Sequence, residues 1–115
     1  MNLSDRNENG PLTEAFYYIL LSLYPGPAHG YGIMQVIEQM SSGRVHVGAG
    51  TLYTALNSLL GKKWIENAPT PESTDARRKM YAITEAGRLA AEAEMNRLEE
   101  LLRNGRKMTA SREGL

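Results

Sequence analysis

The stretch that decides the fold runs from Gly50 to Thr84, GTLYTALNSLLGKKWIENAPTPESTDARRKMYAIT. From about Thr51 to Lys62, Leu52, Ala55, Leu56, Leu59 and Leu60 recur at three- and four-residue spacing, which lines one face of a helix. Trp64 to Ala68 reads as a strand following that helix. Pro69 to Ala76 combines two prolines with hydroxyl and acidic residues, the composition of a loop. Arg78 to Thr84 reads as a second strand, with Met80 and Ala82 on one side and Tyr81 and Ile83 on the other. A helix followed by a long hairpin is the centre of the chain.

Working towards the N-terminus, Leu12, Ala15, Phe16, Ile19, Leu20 and Leu23 predict a helix beginning near Leu12, ended by Pro25-Gly26-Pro27 because proline cannot continue the hydrogen-bond ladder. A second helix is expected from Tyr31 to Met40 and is stopped by Ser41-Ser42-Gly43. Val45-His46-Val47 alternates like a very short strand. Towards the C-terminus, Thr84-Glu85-Ala86-Gly87 opens a helix to about Asn104, in which Ala91, Met95, Leu98 and Leu102 fall at coiled-coil-like spacing. The expected organisation is a disordered lead (1–11), a winged-helix domain (12–84), a dimerisation helix (85–104) and a flexible tail (105–115). The fold class is mainly α with a β-hairpin wing, a winged helix-turn-helix with a long C-terminal helix.

Composition bounds the function. With 115 residues and 42% hydrophobic content the chain suits one domain with a modest core. Cysteine is absent, which excludes disulfides and thiolate chemistry and fits a reducing cytoplasm. No apolar run reaches membrane-spanning length, and the polar stretch Met1 to Pro11 does not read as a signal peptide, so neither a leader nor a membrane partner is expected. His29 and His46 make no credible metal set, and no phosphate loop, dinucleotide fingerprint or nucleophile elbow is present, so neither cofactor nor enzymatic activity is expected. Thirteen basic and thirteen acidic residues cancel, but they are not mixed evenly. Arg77-Arg78-Lys79 sits beside the hairpin, whereas Glu85 to Glu100 carries five Glu against Arg88 and Arg97. The element order alone leaves open DNA binding and reuse of the fold as a protein-interaction module without specific DNA binding.

Three segments resemble the PadR-like family of transcriptional regulators. They are His29-Gly30-Tyr31-Gly32-Ile33, Gly50-Thr51-Leu52-Tyr53-Thr54-Ala55-Leu56, and Arg77-Arg78-Lys79-Met80-Tyr81-Ala82-Ile83-Thr84-Glu85-Ala86-Gly87. The resemblance covers about Leu12 to Leu102, and the short C-terminus is similar to the smaller branch with a single dimerisation helix. It implies a cytoplasmic homodimer, the last helix packing on the partner's first and last helices. It also implies repression through a roughly palindromic operator in double-stranded DNA, with release by a small molecule or stress signal. Relatives often carry Arg or Lys where this chain has Thr54 and Asn57, which implies a differently tuned readout.

On this reading the third helix is the reading head. Thr51 is expected as its cap, and Tyr53, Thr54, Asn57 and Ser58 face away from the leucines towards phosphates or base edges; the plain alternative is a solvated polar face. Arg77, Arg78 and Lys79 are expected to contact phosphate from the wing. Lys62 serves either phosphate or the helix dipole, and Tyr31 either phosphate or the core edge. Phe16, Leu89, Ala91, Met95, Leu98, Leu101 and Leu102 are the candidate dimerisation residues, with the apolar stripe folding back on its own domain as the competing reading. A hydrophobic small-molecule effector is expected at the dimer interface. The last helix has no aromatic residue, so stacking of flat drugs there is not expected.

Overall fold

A computed structural model describes residues 10–70 and 78–113. In chain order the elements are α1 (Glu14–Ser22), β1 (Ala28–His29), α2 (Gly30–Met40), α3 (Ala49–Gly61), β2 (Ile65–Ala68), β3 (Met80–Ile83) and α4 (Glu85–Glu113). The strands form one antiparallel sheet in the order β1-β3-β2, with Ala28 opposite Tyr81 and Ile65 opposite Ile83. This is the winged helix: three helices, a hairpin wing, and a long last helix.

The core is built from one face of every helix. Ile19, Leu20 and Leu23 of the first helical segment meet Ile33 and Ile37 of α2 and Leu52, Leu56 and Leu59 of α3, with Ile65 and Tyr81 closing the sheet side. Each such side chain contributes about 1.5–3 kcal/mol of burial. Arg44 of the α2–α3 turn is ion-paired to Glu14 of α1 on the surface.

Helix ends carry much of the local definition. Thr13 Oγ1 accepts from the Phe16 N–H at 3.0 Å, so α1 starts at Glu14 rather than Leu12. At the end of α2 the Gly43 N–H donates to the Glu38 carbonyl at 2.8 Å and the Ser42 N–H to the Gln39 carbonyl at 3.2 Å. The same pattern closes α3, where Trp64 N–H reaches the Leu59 carbonyl and Lys63 N–H the Leu60 carbonyl. Both closures place a non-glycine residue in the left-handed region, Ser42 at φ 53° and Lys63 at φ 63°.

Several expectations are corrected. Val45-His46-Val47 is not a strand: the Ser41 hydroxyl accepts from the Val45 N–H at 3.0 Å, tying the segment back to the end of α2 as irregular chain with Val47 buried. The third strand is instead Ala28–His29, which covers the other edge of β3. The helix expected to end near Asn104 continues to Glu113, so 105–113 is not a flexible tail; Arg103, Asn104, Gly105 and Arg106 present no proline to stop it. The expected disorder of 1–9 and of 114–115 lies outside the described residues.

The N-terminus of α4 is fixed by close packing. Thr84 N–H donates to the Trp64 carbonyl at 3.0 Å, Thr84 Oγ1 donates to the Lys63 carbonyl at 2.7 Å and accepts from the Gly87 N–H at 3.1 Å. A side chain at Gly87 would lie 2.0 Å from the Trp64 carbonyl oxygen, so only glycine permits this approach. Further along, the buried Glu94 carboxylate takes two hydrogen bonds from Arg97, at 2.9 and 2.6 Å, and one from the Leu12 N–H at 3.3 Å. The Arg97 hydrogen bond, opposed by burial and aided by Leu12, holds the Glu94 carboxyl below its ordinary value.

Candidate nucleic-acid interface

The buried face of α3 dictates what its other face shows. With Leu52, Ala55, Leu56 and Leu59 in the core, Thr51, Tyr53, Thr54, Asn57 and Ser58 are all exposed. The cap of α3 is Gly48, which offers no side chain, so Thr51 is an exposed first-turn residue rather than the cap. The first-turn N–H groups therefore stay open to an anion, with the helix dipole favouring one there. Thr54 Oγ1 donates back to the Gly50 carbonyl at 3.0 Å, which leaves its lone pairs and methyl for a partner. Asn57 and Ser58, one turn further on, have no such tie among the described hydrogen bonds and keep both donor and acceptor capacity.

The His29-Gly30-Tyr31-Gly32 run gives this face its second edge. His29 Nδ1 accepts the Gly32 N–H at 3.1 Å and caps α2. Its ring lies parallel to that of Tyr31, 10° apart in plane and 6.4 Å between centroids. Gly30 is buried, and a side chain there would come within 2.8 Å of the Tyr53 hydroxyl and 3.3 Å of Leu52. Glycine thus lets α3 approach α2 and seats Tyr53 over the first turn of α2. Two half-exposed tyrosines, Tyr31 and Tyr53, result at adjoining helix N-termini. Neither His29 nor Gly30 was singled out as a functional residue by sequence; the close spacing of two glycines around an aromatic was the available signal.

The wing supplies the positive charge. Arg78 and Lys79 are exposed immediately before β3, and the Thr70 hydroxyl donates to the Arg78 carbonyl at 3.4 Å across the base of the loop. Arg77 lies outside the described residues. Lys62 is placed elsewhere: its ammonium sits 5.2 Å from the Trp64 ring centroid and it lines a groove against α4. It is not part of the Thr51–Ser58 row. Sequence reasoning also passed over Arg44, an exposed cation in the turn between α2 and α3.

The candidate dimerisation residues do not form a single surface. Phe16 is half-buried against the core and lines a shallow groove with Thr51, Thr54 and Ser58. Ala91 is fully buried within its own domain, because α4 lies on the body over this stretch; it is not available to a partner in this arrangement. Met95 is half-buried, whereas Leu89, Leu98, Leu101 and Leu102 are exposed. At Ala91 the stripe lies against its own domain. Among the described residues, no three or more His, Asp or Glu gather as a metal site, and no helix is long and apolar enough to cross a membrane.

Comparison with known proteins agrees with this geometry. The sequence profile of the transcriptional regulator PadR-like family matches residues 19–93. A transcriptional regulator from Clostridium thermocellum superposes with a TM-score of 0.69 at 25% identity, over 80% of this chain and 89% of the other. Bacillus subtilis PadR, solved in complex with operator DNA, superposes with a TM-score of 0.59 at 25% identity, over 67% of this chain and 44% of the other. An uncharacterized 37.1 kDa protein of a Streptomyces fradiae transposon is 35% identical over 88 residues, 76% of this chain but only 24% of that protein. The profile spans well over half of the chain, and the chain belongs to the PadR-like family of transcriptional regulators.

Proposed function

We propose that this chain is a homodimeric, sequence-specific DNA-binding repressor that sets α3 in the major groove and its wing on the flanking phosphates. The observation that carries the reading is the division of α3, whose buried leucines force Thr51, Tyr53, Asn57 and Ser58 outward beside an exposed Arg78-Lys79 pair. Phosphate contacts fix register, while Asn57 is the residue best suited to a base edge, pairing with adenine. Bacillus subtilis PadR, a structural neighbour, has been solved with operator DNA, which supports the same docking here. A twofold dimer presents two copies of α3 and so matches a roughly palindromic operator. A small-molecule or stress signal releases it: a hydrophobic effector reaching the subunit interface shifts the spacing of the two reading helices through whichever dimer state it binds better. The family is one of regulators, not enzymes, and no step here requires a cofactor.

A mobility shift on DNA from the region upstream of the gene itself, repeated across a salt series, tests this. Preference for that DNA over random duplex, with affinity falling linearly in log salt, is expected. No preference at any salt would leave a winged-helix protein-interaction module.

A further inference from the structure

Helix α3 carries no charge. Ala49 to Gly61 includes neither an acid nor a base. Lys62, just past its end, turns its ammonium onto Trp64, 5.2 Å from the ring centroid. In the major groove the commonest reader of guanine is an Arg or Lys that donates to both the O6 and N7 acceptors of that base. No side chain of α3 can make that charged, two-pronged contact. The wing cations Arg78 and Lys79 stand on another element, just before β3, and suit phosphate.

What α3 does show is set by its own hydrogen bonds. Thr54 Oγ1 gives its proton to the Gly50 carbonyl at 3.0 Å. The hydroxyl has no donor left for the guanine edge, which presents acceptors at O6 and N7. Outward it presents lone pairs and a methyl, and the methyl has one match among the bases, the 5-methyl of thymine. Asn57, three residues on and on the same side, keeps its amide free among the described hydrogen bonds. It can donate to N7 of adenine and accept from N6. Thr51 and Ser58 form single hydrogen bonds with any base and so discriminate poorly. Thr and Asn are short, so the helix backbone must come close to the base edges. Gly50 lies one turn before Thr54 and Gly61 one turn after Asn57, along the same exposed side. A Cβ at either would project into open space. With glycine at both, no side chain on that line reaches further out than Thr54 and Asn57.

We propose that α3 reads two neighbouring A·T base pairs and contacts no guanine: Asn57 pairs with an adenine, and Thr54 packs its methyl on the 5-methyl group of the adjoining thymine. The inference rests on the docking of α3 proposed above and adds which bases that helix selects. The two residues are about 4.5 Å apart along the helix axis, close to the roughly 3.4 Å step between stacked base pairs. They therefore fall on adjacent pairs. An A·T preference can also arise without base contacts, from the narrow minor groove of A-tracts. The thymine methyl lies in the major groove, so a contact to it is separable from shape.

The test selects binding sites for the full chain from a pool of random duplexes, then measures the selected duplex by fluorescence anisotropy. Each thymine of a half-site is replaced singly by uracil, which removes the 5-methyl and keeps the pairing. Each adenine is replaced singly by 7-deazaadenine, which removes N7. At the contacted positions each replacement is expected to weaken binding about threefold to tenfold. Two variants assign the contacts. Thr54→Ser keeps a hydroxyl for the Gly50 carbonyl and loses only the methyl. It should bind the thymine duplex as weakly as the unaltered chain binds the uracil one, and lose nothing further on uracil. Asn57→Ala should bind the adenine and 7-deazaadenine duplexes alike. Both residues are exposed, so neither change touches the core, and circular dichroism checks the fold. Uracil as good as thymine at every position would overturn the methyl contact and leave any A·T preference to DNA shape. A uracil loss undiminished in Thr54→Ser would overturn the role of Thr54. A half-site in which 7-deazaguanine for guanine costs more than any change at adenine or thymine would overturn the proposal as well. Equal affinity for selected and random duplexes would instead remove specific DNA binding itself, the reading on which this one rests.

Discussion

Helices α3 and α4 are both amphipathic and both bury one face in the same core, yet they meet solvent in opposite ways. The face of α3 opposite its leucines is polar, with Tyr53, Thr54, Asn57 and Ser58 exposed, and the helix ends at Gly61, packed on the core along its length. The outward portion of α4 is its own apolar stripe, prolonged past the body through Leu98, Leu101 and Leu102. A short helix that shows polar groups suits a hydrated, charged partner such as DNA, whereas a long one that shows leucines suits another protein surface. What separates the two roles is length relative to the core, since the buried periodicity is the same in both.

The contrast breaks most severely where the two helices are joined. Gly87→Ala forces a methyl against the Trp64 carbonyl and is expected to cost about 3 kcal/mol or more, a large share of the stability of a small domain, as read by urea denaturation. Glu94→Gln loosens α4 from the body with α3 untouched, at a cost of about 1–3 kcal/mol near neutral pH. The Glu94 carboxyl titrates below its ordinary value in the fold, so the contribution of the pair is fully present above about pH 4.3. It is lost as pH falls through the depressed folded value. The stability gap between the variant and the unaltered chain should therefore close on acidification, as read from denaturation curves at stepped pH.

The α3 side answers to binding rather than stability. Arg78→Gln with Lys79→Gln should weaken binding to all DNA sequences alike and flatten the log–log salt slope by about 1 per lost phosphate contact, measured by fluorescence anisotropy. Gly30→Ala displaces the end of the Tyr53 side chain more than it disturbs the core, so DNA affinity should drop while stability changes by under about 1 kcal/mol. The smallest effect is a gain: Lys63→Gly relieves a left-handed residue at the end of α3 and should stabilise by about 0.5–1 kcal/mol.

The residues announced the fold well where one face of an element is buried. The Leu52–Leu60 spacing, the prolines after Leu23 and the run into Thr84-Glu85-Ala86-Gly87 each mark a single local arrangement. What escaped was set by partners distant in sequence. Ala28–His29 is a strand only because β3 lies beside it, and its two residues carry no alternation to detect. Val45 and Val47 alternate, but the Val45 N–H goes to the nearby Ser41 hydroxyl instead of to a neighbouring strand. The site divides in the same way. The polar face of α3 follows from spacing alone, whereas the seating of Tyr53 by Gly30, the turning of Lys62 onto Trp64 and the burial of Ala91 depend on packing that no local pattern encodes.

The most direct test of the account is a hydroxyl-radical footprint of the protein on DNA from upstream of its own gene. Two reading helices held by a twofold pair of α4 helices predict two protected half-sites, their centres about one helical turn, 34–36 Å, or a whole multiple of it apart on the same face of the duplex. A single protected patch, or protection spread without preference along the DNA, would contradict it.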